Sequence, residues 1–333
     1  MLDRRGRPLG TLRLSVTDRC NLRCVYCMPE DEYAWLPDES ILSVAEIERV
    51  ARAFVSVGVR EIRITGGEPL LRAELETIVA RVAGLGAEVA LTTNGVLFAR
   101  RAEGLARAGL SRVTFSVDTL RAERALALSR TTRLGDVIEG LRAARAAGFS
   151  RTKINAVVMR GKNDDELLDL VALAREHGAE VRFIEYMDVG GATRWSAGDV
   201  VPKSEILAAL GSPEPVDADR GASPAARYRL RDGTVVGVIA STTAPFCADC
   251  DRARVTADGV LFGCLYAERG VDLRGPIRAG ASDGGLVDMI SATWTARDDR
   301  GAETRASLGH REALIPLSRL KADPHREMHT RGG

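Results

Sequence analysis

Between residues 12 and 187 short apolar runs alternate with stretches of helical spacing, and this rhythm leaves the chain few architectures. LRLSV (12–16) reads as a strand. SVAEIERVARAFVSVG (43–58) repeats its apolar residues at helical intervals, with Ser43 placed to cap the N-terminus and Gly58 the C-terminus. REIRIT (60–65), AEVALTT (87–93), SRVTFSV (111–117), RTKINAVVM (151–159) and AEVRFIEYM (179–187) read as five more strands. Helices at about 71–86, 97–108, 134–147 and 164–177 precede the last four of them. Strands separated by helices pair in parallel through right-handed crossovers, so the class is α/β. Six units fall short of a closed eight-fold barrel, and the expectation is a partial (β/α)6 TIM-like barrel.

After Met187 the rhythm stops. A Gly-rich loop (190–202), a short helix near 204–210 and a Pro/Ala/Asp linker (212–226) lead to YRLRDGTVVGVIAS, two strands with Asp232-Gly233 as the hairpin turn. The reading divides the chain into a barrel over 1–190 and a C-terminal region over 191–333 that covers one opening of the barrel.

Barrels of this kind assemble their chemistry at the C-terminal ends of strands. Here the first strand runs into Thr17-Asp18-Arg19-Cys20, the second into Gly66-Gly67-Glu68-Pro69 and the third into Thr92-Thr93-Asn94-Gly95. The fourth ends at Ser116 and Asp118, the fifth contains Lys153 and Asn155, and the sixth carries Arg182, Glu185 and Met187. Gly-Gly and Asn-Gly can be plain turns, and isolated polar residues plain caps. Six polar strand ends converging on one rim point instead to a site.

The six cysteines form two groups of three: Cys20, Cys24, Cys27 and Cys247, Cys250, Cys264. A net charge of +1 with 45% hydrophobic and 28% charged residues gives no nucleic-acid signature. No apolar run approaches the roughly 18 residues of a membrane span, and the basic start has no apolar segment behind it. The expected compartment is the cytoplasm, where disulfide frameworks are rare and tight cysteine spacing reads as metal binding. In C-x3-C-x2-C, three thiolates on one loop can hold three corners of a four-iron cubane and leave the fourth iron open. Zinc is the competing reading and would want a fourth ligand, yet the histidines (177, 310, 325 and 329) are all remote in sequence.

The second group, C-x2-C-x13-C, again supplies three ligands and no fourth, which leaves room for substrate on a metal. Arg252 and Arg254 lie within it, after Cys250, and Arg13, Arg63, Lys153 and Arg182 are expected on the rim. Converging cations suit a polyanion such as a nucleoside triphosphate. Arginine supplies 43 of the 47 basic residues, so single arginines carry little information and Lys153 carries more.

C-x3-C-x2-C with Tyr26 before the last cysteine, followed by Gly66-Gly67-Glu68-Pro69, resembles the radical S-adenosylmethionine superfamily. That resemblance implies a [4Fe-4S] cluster on Cys20, Cys24 and Cys27 whose open iron chelates S-adenosylmethionine. Reductive cleavage of the sulfonium then yields a 5′-deoxyadenosyl radical. It also implies S-adenosylmethionine contacts from Tyr26, Gly66, Gly67, Glu68, Ser116 and Met187, with the glycines allowing close backbone approach.

Over nearly the whole chain, TDRCNLRCVYCMPE, RITGGEPLLR, LTTNG, VTFSVDT, KINAVVMRGKNDDE, RFIEYM and APFCADCDRARVTADG are similar to the GTP 3′,8-cyclase family of molybdenum cofactor biosynthesis. The similarity implies a second [4Fe-4S] cluster on Cys247, Cys250 and Cys264 that orients guanine. It implies GTP contacts from Arg13, Arg63, Thr92, Lys153, Arg182, Arg252 and Arg254, and a tail whose Gly332 and Gly333 reach the active site. The reaction would be radical cyclisation of GTP to (8S)-3′,8-cyclo-7,8-dihydroguanosine 5′-triphosphate. Its partners would be a one-electron reductant, a downstream cyclic pyranopterin monophosphate synthase and a second copy of the chain in a homodimer. Glu61 and Arg331 depart from the family pattern, where a basic and an apolar residue respectively are usual. His325 and His329, in HREMH, are read as a solvated tail. Two alternatives stay in view: a peptide-maturing radical enzyme with auxiliary clusters, and a zinc-binding interaction protein.

Overall fold

The computed structural model describes residues 1–216, 221–308 and 310–332; Asp217 to Arg220, Gly309 and Gly333 lie outside the described residues. The six anticipated strands form as β1 (Thr11–Ser15), β2 (Glu61–Thr65), β3 (Glu88–Thr93), β4 (Arg112–Ser116), β5 (Lys153–Val158) and β6 (Glu180–Glu185). Each pairs in parallel with the next.

Helices α1 (Val44–Ser56), α2 (Leu75–Ala83), α3 (Ala102–Arg107), α4 (Ala122–Ser129), α5 (Leu134–Ala146) and α6 (Leu167–Glu176) connect them. α1 starts where its sequence directs: the Ser43 hydroxyl accepts from Glu46 N (3.2 Å) while the Ser43 N–H donates to Glu46 Oε2 (2.7 Å). This reciprocal cap is worth about 1 kcal/mol. Gly58 follows the helix at φ +105°, a conformation L side chains avoid. α2 and α3 begin later than expected because tight turns at Pro69–Leu71 and Phe98–Arg100 take the first residues of each segment. α4 was not anticipated: it has no side-chain cap and forms because Ala125 and Leu128 pack inward.

The C-terminal region continues with α7 (Lys203–Ala209), β7 (Glu214–Pro215), β8 (Ala226–Arg229), β9 (Val235–Ile239), β10 (Arg252–Val255), β11 (Val260–Phe262) and β12 (Val271–Asp272). Helices α8 (Arg274–Arg278), α9 (Asp283–Thr295), α10 (Gly301–Ala306) and α11 (Leu317–Ala322) follow. β8 and β9 form the hairpin expected around Asp232-Gly233. Among the described residues one open sheet contains every strand, in the order β12-β11-β10-β1-β2-β3-β4-β5-β6-β9-β8-β7. β10 joins β1 in parallel at one edge of the six, and β9 joins β6 in parallel at the other. The sheet therefore does not end where the β/α alternation ends.

The two faces of this sheet differ in kind. Leu12, Leu14, Ile62, Ile64, Val89, Leu91, Val113, Phe115, Ile154 and Phe183 are fully buried and pack against the helices. Each such side chain contributes roughly 1.5–3 kcal/mol by leaving water. The alternate positions point the other way and include the polar residues Arg13, Arg63, Thr92, Thr114, Lys153, Asn155 and Arg182. A closed barrel fills that interior with apolar layers; this open one lines it with charge. The expected GTP cations consequently sit inside the strands, on the concave face, and not on the rim. Gly237 on β9 serves the same face, because a Cβ there would meet Arg182 Cγ at 2.9 Å.

Candidate active site

Both cysteine groups open onto one cavity of about 310 Å³ on the concave face. Cys20, Cys24 and Cys27 follow the C-terminal end of β1. Cys247 and Cys250 precede the N-terminal end of β10, the neighbouring parallel strand, and Cys264 follows β11. The two trios therefore face each other along the strand direction. All six thiols are free and partly buried.

The first trio is shaped by backbone contacts. Gly67 N donates to Thr17 O (2.8 Å) and Glu68 N to Arg19 O (2.7 Å), tying the Gly-Gly loop to the cysteine loop. A Cβ on Gly66 would meet Thr17 O at 2.4 Å, and one on Gly67 would meet Arg19 O at 2.3 Å and Asp18 O at 2.5 Å. Both glycines are thus required by the packing of two loops. Glu68 turns inward and accepts from Asn94 N (2.7 Å), Thr93 Oγ1 (2.8 Å) and Leu70 N (2.9 Å). Burial pushes its carboxyl up to about 7 against these donors. The Tyr26 hydroxyl donates to Asp118 Oδ2 (2.7 Å), whose other oxygen accepts from Val157 N (2.9 Å). Burial raises Asp118 to about 6. Ser116 and Met187 line the same cavity.

Burial drives the Cys20 thiol up to about 11 and Cys24 to about 12, and raises Cys27 well above the ordinary value. In the second trio burial raises Cys247 and takes Cys264 to about 12. Cys250 differs: burial opposes ionisation, yet Arg252 and Arg297 bring it down to about 7. Arg252 Nη2 lies 3.6 Å from Cys250 Sγ, and Tyr266 N donates to Cys264 Sγ at 3.4 Å. Arg7 and Arg297 each donate to a carbonyl of the second group, Cys247 O and Cys250 O, at 2.8 Å. Three converging thiols with N–H···S donors around them fit an iron–sulfur centre. Among the described residues no three His, Cys, Asp or Glu side chains gather tightly enough to hold a single metal ion; a cubane distributes its ligands over separate irons.

Arg13, Thr92, Arg252 and Arg254 line the cavity between the trios. Arg13 and Arg254 are register partners on adjacent strands, and Arg13 is partner to Arg63 on its other side. Burial, with Arg254, Arg252 and Arg63 nearby, pushes Arg13 well below the usual arginine range; burial and Arg252 take Arg254 to about 10. Repulsion of this kind is relieved by a bound polyanion. Arg63, Lys153 and Arg182 share the concave face but are not part of the cavity wall. Arg63 donates to Thr114 Oγ1 (3.2 Å) and Thr92 Oγ1 (3.4 Å) and pairs with Glu61 at 2.8 Å. Glu61 also pairs with Arg112, so the departure noted in the sequence binds two arginines of the barrel to each other.

The tail enters this cavity. Arg254 Nη1 donates to Gly332 O at 2.8 Å and Arg13 Nη1 to the same carbonyl at 3.4 Å. Gly332 adopts φ +71°, and a Cβ there would meet Thr65 Oγ1 at 2.1 Å. Gly333 lies outside the described residues. Arg331, the second departure, is an anchor: Nε donates to His325 O and Nη1 to Leu265 O, both at 2.6 Å, and its guanidinium lies 4.2 Å from the Phe262 ring centre. The solvated-tail reading of the two histidines fails. His325 pairs with Asp258 at 2.7 Å, and His329 is 2% exposed between Tyr33 and Trp35. Carboxylate and aromatic partners lying far away in sequence captured them, which no local pattern announces.

Asp188, next to Met187, also carried no sequence signal. Its fully buried carboxylate accepts from Arg305 Nε (2.7 Å), Arg311 Nη2 (2.7 Å) and Tyr266 Oη (3.2 Å), joining the end of β6 to the second cysteine group. Glu185 is structural, accepting from Lys203 N (2.7 Å) and from Thr242 N and Thr243 N (2.8 Å each).

An open parallel barrel with a three-cysteine loop packed against Gly-Gly-Glu-Pro defines a radical S-adenosylmethionine protein. Residues 14–174 match the radical SAM superfamily, and residues 179–303 match the family described as Molybdenum Cofactor Synthesis C. The fold is shared with Streptococcus suis SuiB bound to S-adenosylmethionine, at a TM-score of 0.62 and 16% identity over 90% of this chain and 68% of that one. The GTP 3′,8-cyclase 3 of Mycobacterium bovis is 55% identical, covering 99% of this chain and 90% of its own. GTP 3′,8-cyclase 1 of Mycobacterium tuberculosis is 53% identical (99% and 95%), and the GTP 3′,8-cyclase of Acidothermus cellulolyticus 48% (98% and 95%). The chain belongs to the GTP 3′,8-cyclase family.

Proposed function

We propose that the protein cyclises GTP between C3′ of the ribose and C8 of the guanine, the opening reaction of molybdenum cofactor biosynthesis, with both cysteine trios carrying [4Fe-4S] clusters. The observation that carries this reading is the single cavity with a trio at each end and Arg13, Arg252 and Arg254 between them. With S-adenosylmethionine bound, the N-terminal cluster would supply radical chemistry able to activate an otherwise unreactive C–H bond.

The chain's own residues bind, orient and exclude water. Cys20, Cys24 and Cys27 hold the N-terminal cluster, and Tyr26, Gly66, Gly67, Glu68, Ser116 and Met187 surround the S-adenosylmethionine site. Cys247, Cys250 and Cys264 would hold the second cluster, and this end of the cavity would orient the purine. Arg13, Arg252 and Arg254 take the triphosphate, Arg63, Thr92, Lys153 and Arg182 extend that grip along the concave face, and the tail glycines Gly332 and Gly333 take part in the catalytic step. In this reading 1–190 forms the radical-generating barrel and 191–333 the region of the second cluster. A one-electron reductant feeds the site, the product passes to cyclic pyranopterin monophosphate synthase, and the working form is a cytoplasmic homodimer. Among the described residues no helix is long and apolar enough to cross a membrane.

The test is anaerobic reconstitution followed by incubation with GTP, S-adenosylmethionine and dithionite. Wild type should load about eight irons and release 5′-deoxyadenosine together with a cyclised nucleotide. Cys250→Ala should load about half the iron and make no cyclised nucleotide. Full activity with only about four irons refutes the two-cluster arrangement, and the absence of any GTP-dependent product refutes the substrate.

A further inference from the structure

His329 lines the cavity and is 2% exposed, and neither Nδ1 nor Nε2 has a hydrogen-bond partner. An unpartnered buried polar atom costs about 1–3 kcal/mol. A histidine held there makes physical sense when the molecule filling the cavity completes its bonding.

The ring cannot turn away. It meets Tyr33 edge-on at 5.3 Å and Trp35 at 5.5 Å between ring centres. Its own segment is fixed by Met328 N donating to Gly190 O (3.0 Å) and by the Arg331 bonds to His325 O and Leu265 O. Burial, with the Arg23 cation nearby, brings the imidazole down to about 3, so at neutral pH it is uncharged and carries one N–H and one lone pair.

The surroundings fix which end of the cavity it serves. Tyr33 and Trp35 also carry the Arg23 guanidinium, at 5.6 and 5.5 Å from their ring centres. Arg23 lies inside the N-terminal cysteine loop and donates from Nη1 to the carbonyls of Cys20 (3.0 Å) and Leu22 (2.9 Å). The Tyr33 hydroxyl accepts from Glu30 N (2.9 Å), three residues beyond Cys27. His329 thus stands beside the Cys20–Cys27 loop, on a platform shared with a residue of that loop.

We propose that His329 is a further ligand-contacting residue of the N-terminal site, donating its imidazole N–H to an anionic acceptor bound there: a sulfur of the cluster or the carboxylate of S-adenosylmethionine. This rests on the reading that Cys20, Cys24 and Cys27 hold the cluster. A donor to cluster sulfur raises the reduction potential. A donor to the carboxylate tightens S-adenosylmethionine binding.

The experiment uses full-length, anaerobically reconstituted wild type, His329→Phe and His329→Gln. Phenylalanine keeps the ring on Tyr33 and Trp35 without an N–H, and glutamine returns a donor. The potential of the N-terminal cluster is read by EPR-monitored titration without S-adenosylmethionine, and the Kd for S-adenosylmethionine by equilibrium dialysis without GTP or reductant. A more negative potential in His329→Phe identifies sulfur as the acceptor. An unmoved potential with binding weakened about tenfold, the effect of one hydrogen bond, identifies the carboxylate. In either case His329→Gln recovers part of the loss. Neither readout moving, at wild-type iron content, overturns the proposal. Should His329→Phe fail to hold iron, wild type labelled with 15N-histidine decides. A weak 15N coupling to the reduced cluster, with or without S-adenosylmethionine, upholds the contact, and its absence in both states overturns it. Iron missing from wild type would instead sink the cluster reading itself.

Discussion

Replacing Gly67 by alanine tests whether the Gly-Gly-Glu-Pro loop serves the site by packing on the cysteine loop. The new Cβ would lie 2.3 Å from Arg19 O and 2.5 Å from Asp18 O, both backbone atoms that cannot rotate aside. The loops must separate by roughly 1 Å to reach ordinary contact distance, which overpacking studies put at about 1–3 kcal/mol. Separation also lengthens the Gly67 N to Thr17 O and Glu68 N to Arg19 O bonds. At about 1 kcal/mol each, the total comes to about 3–5 kcal/mol. The cost falls on the segment Thr17–Cys20 that presents the first cysteine, so the expected result is local. Dialysis of the reconstituted variant should show S-adenosylmethionine binding weakened at least about 100-fold, by the rule of 1.4 kcal/mol per decade. The iron retained under chelator challenge should fall to about half, that of the second trio. Gly135→Ala is the control, since a Cβ there has nothing within 4 Å. Wild-type iron retention and S-adenosylmethionine affinity in Gly67→Ala would refute the packing argument.

Burial, with Arg182 and Arg112 nearby, lowers the Lys153 ammonium to about 8. The protonated form attracts a triphosphate, so GTP affinity should hold below pH 8 and weaken above it, by up to about tenfold per pH unit; Lys153→Arg should flatten the profile measured by dialysis. Arg254→Ala should weaken GTP binding and free the Gly332 carbonyl together, read as faster hydrogen exchange of the amides of 328–332. Arg331→Ala loses two hydrogen bonds, about 2 kcal/mol, and should speed exchange in the same segment roughly 30-fold with the barrel unchanged. Asp188→Asn leaves Arg305 and Arg311 facing a neutral amide and should lower iron retention by the second trio before the first, followed by iron analysis.

Much of this molecule is written locally in its chain. The β1–β6 alternation, the Ser43 cap and the cysteine spacing need only neighbours within a few residues, and each has its place in the structure. What was not legible depends on distant partners. β10 pairs with β1 across some 240 positions, and a parallel partner that far away leaves no periodicity to detect. The arginines expected on the rim lie on the concave face because this barrel does not fill its interior with apolar layers, a property of closure that no single strand records. Glu61 and Arg331 depart from the family pattern, and the partners they meet here, Arg112 and Leu265 O, lie too far along the chain to be read from it.

The pairing of β1 with β10 also acts as a ruler. One trio follows the far end of β1, while Cys247 and Cys250 precede the near end of β10 and Cys264 follows β11, so five strand residues at about 3.3 Å each set the two cysteine groups roughly 16 Å apart. A ladder of backbone hydrogen bonds, and no flexible hinge, fixes that gauge. Adding one residue to β1 would lengthen it by a single step but rotate Arg13 into the apolar layer, so the separation can be inherited but not gradually adjusted.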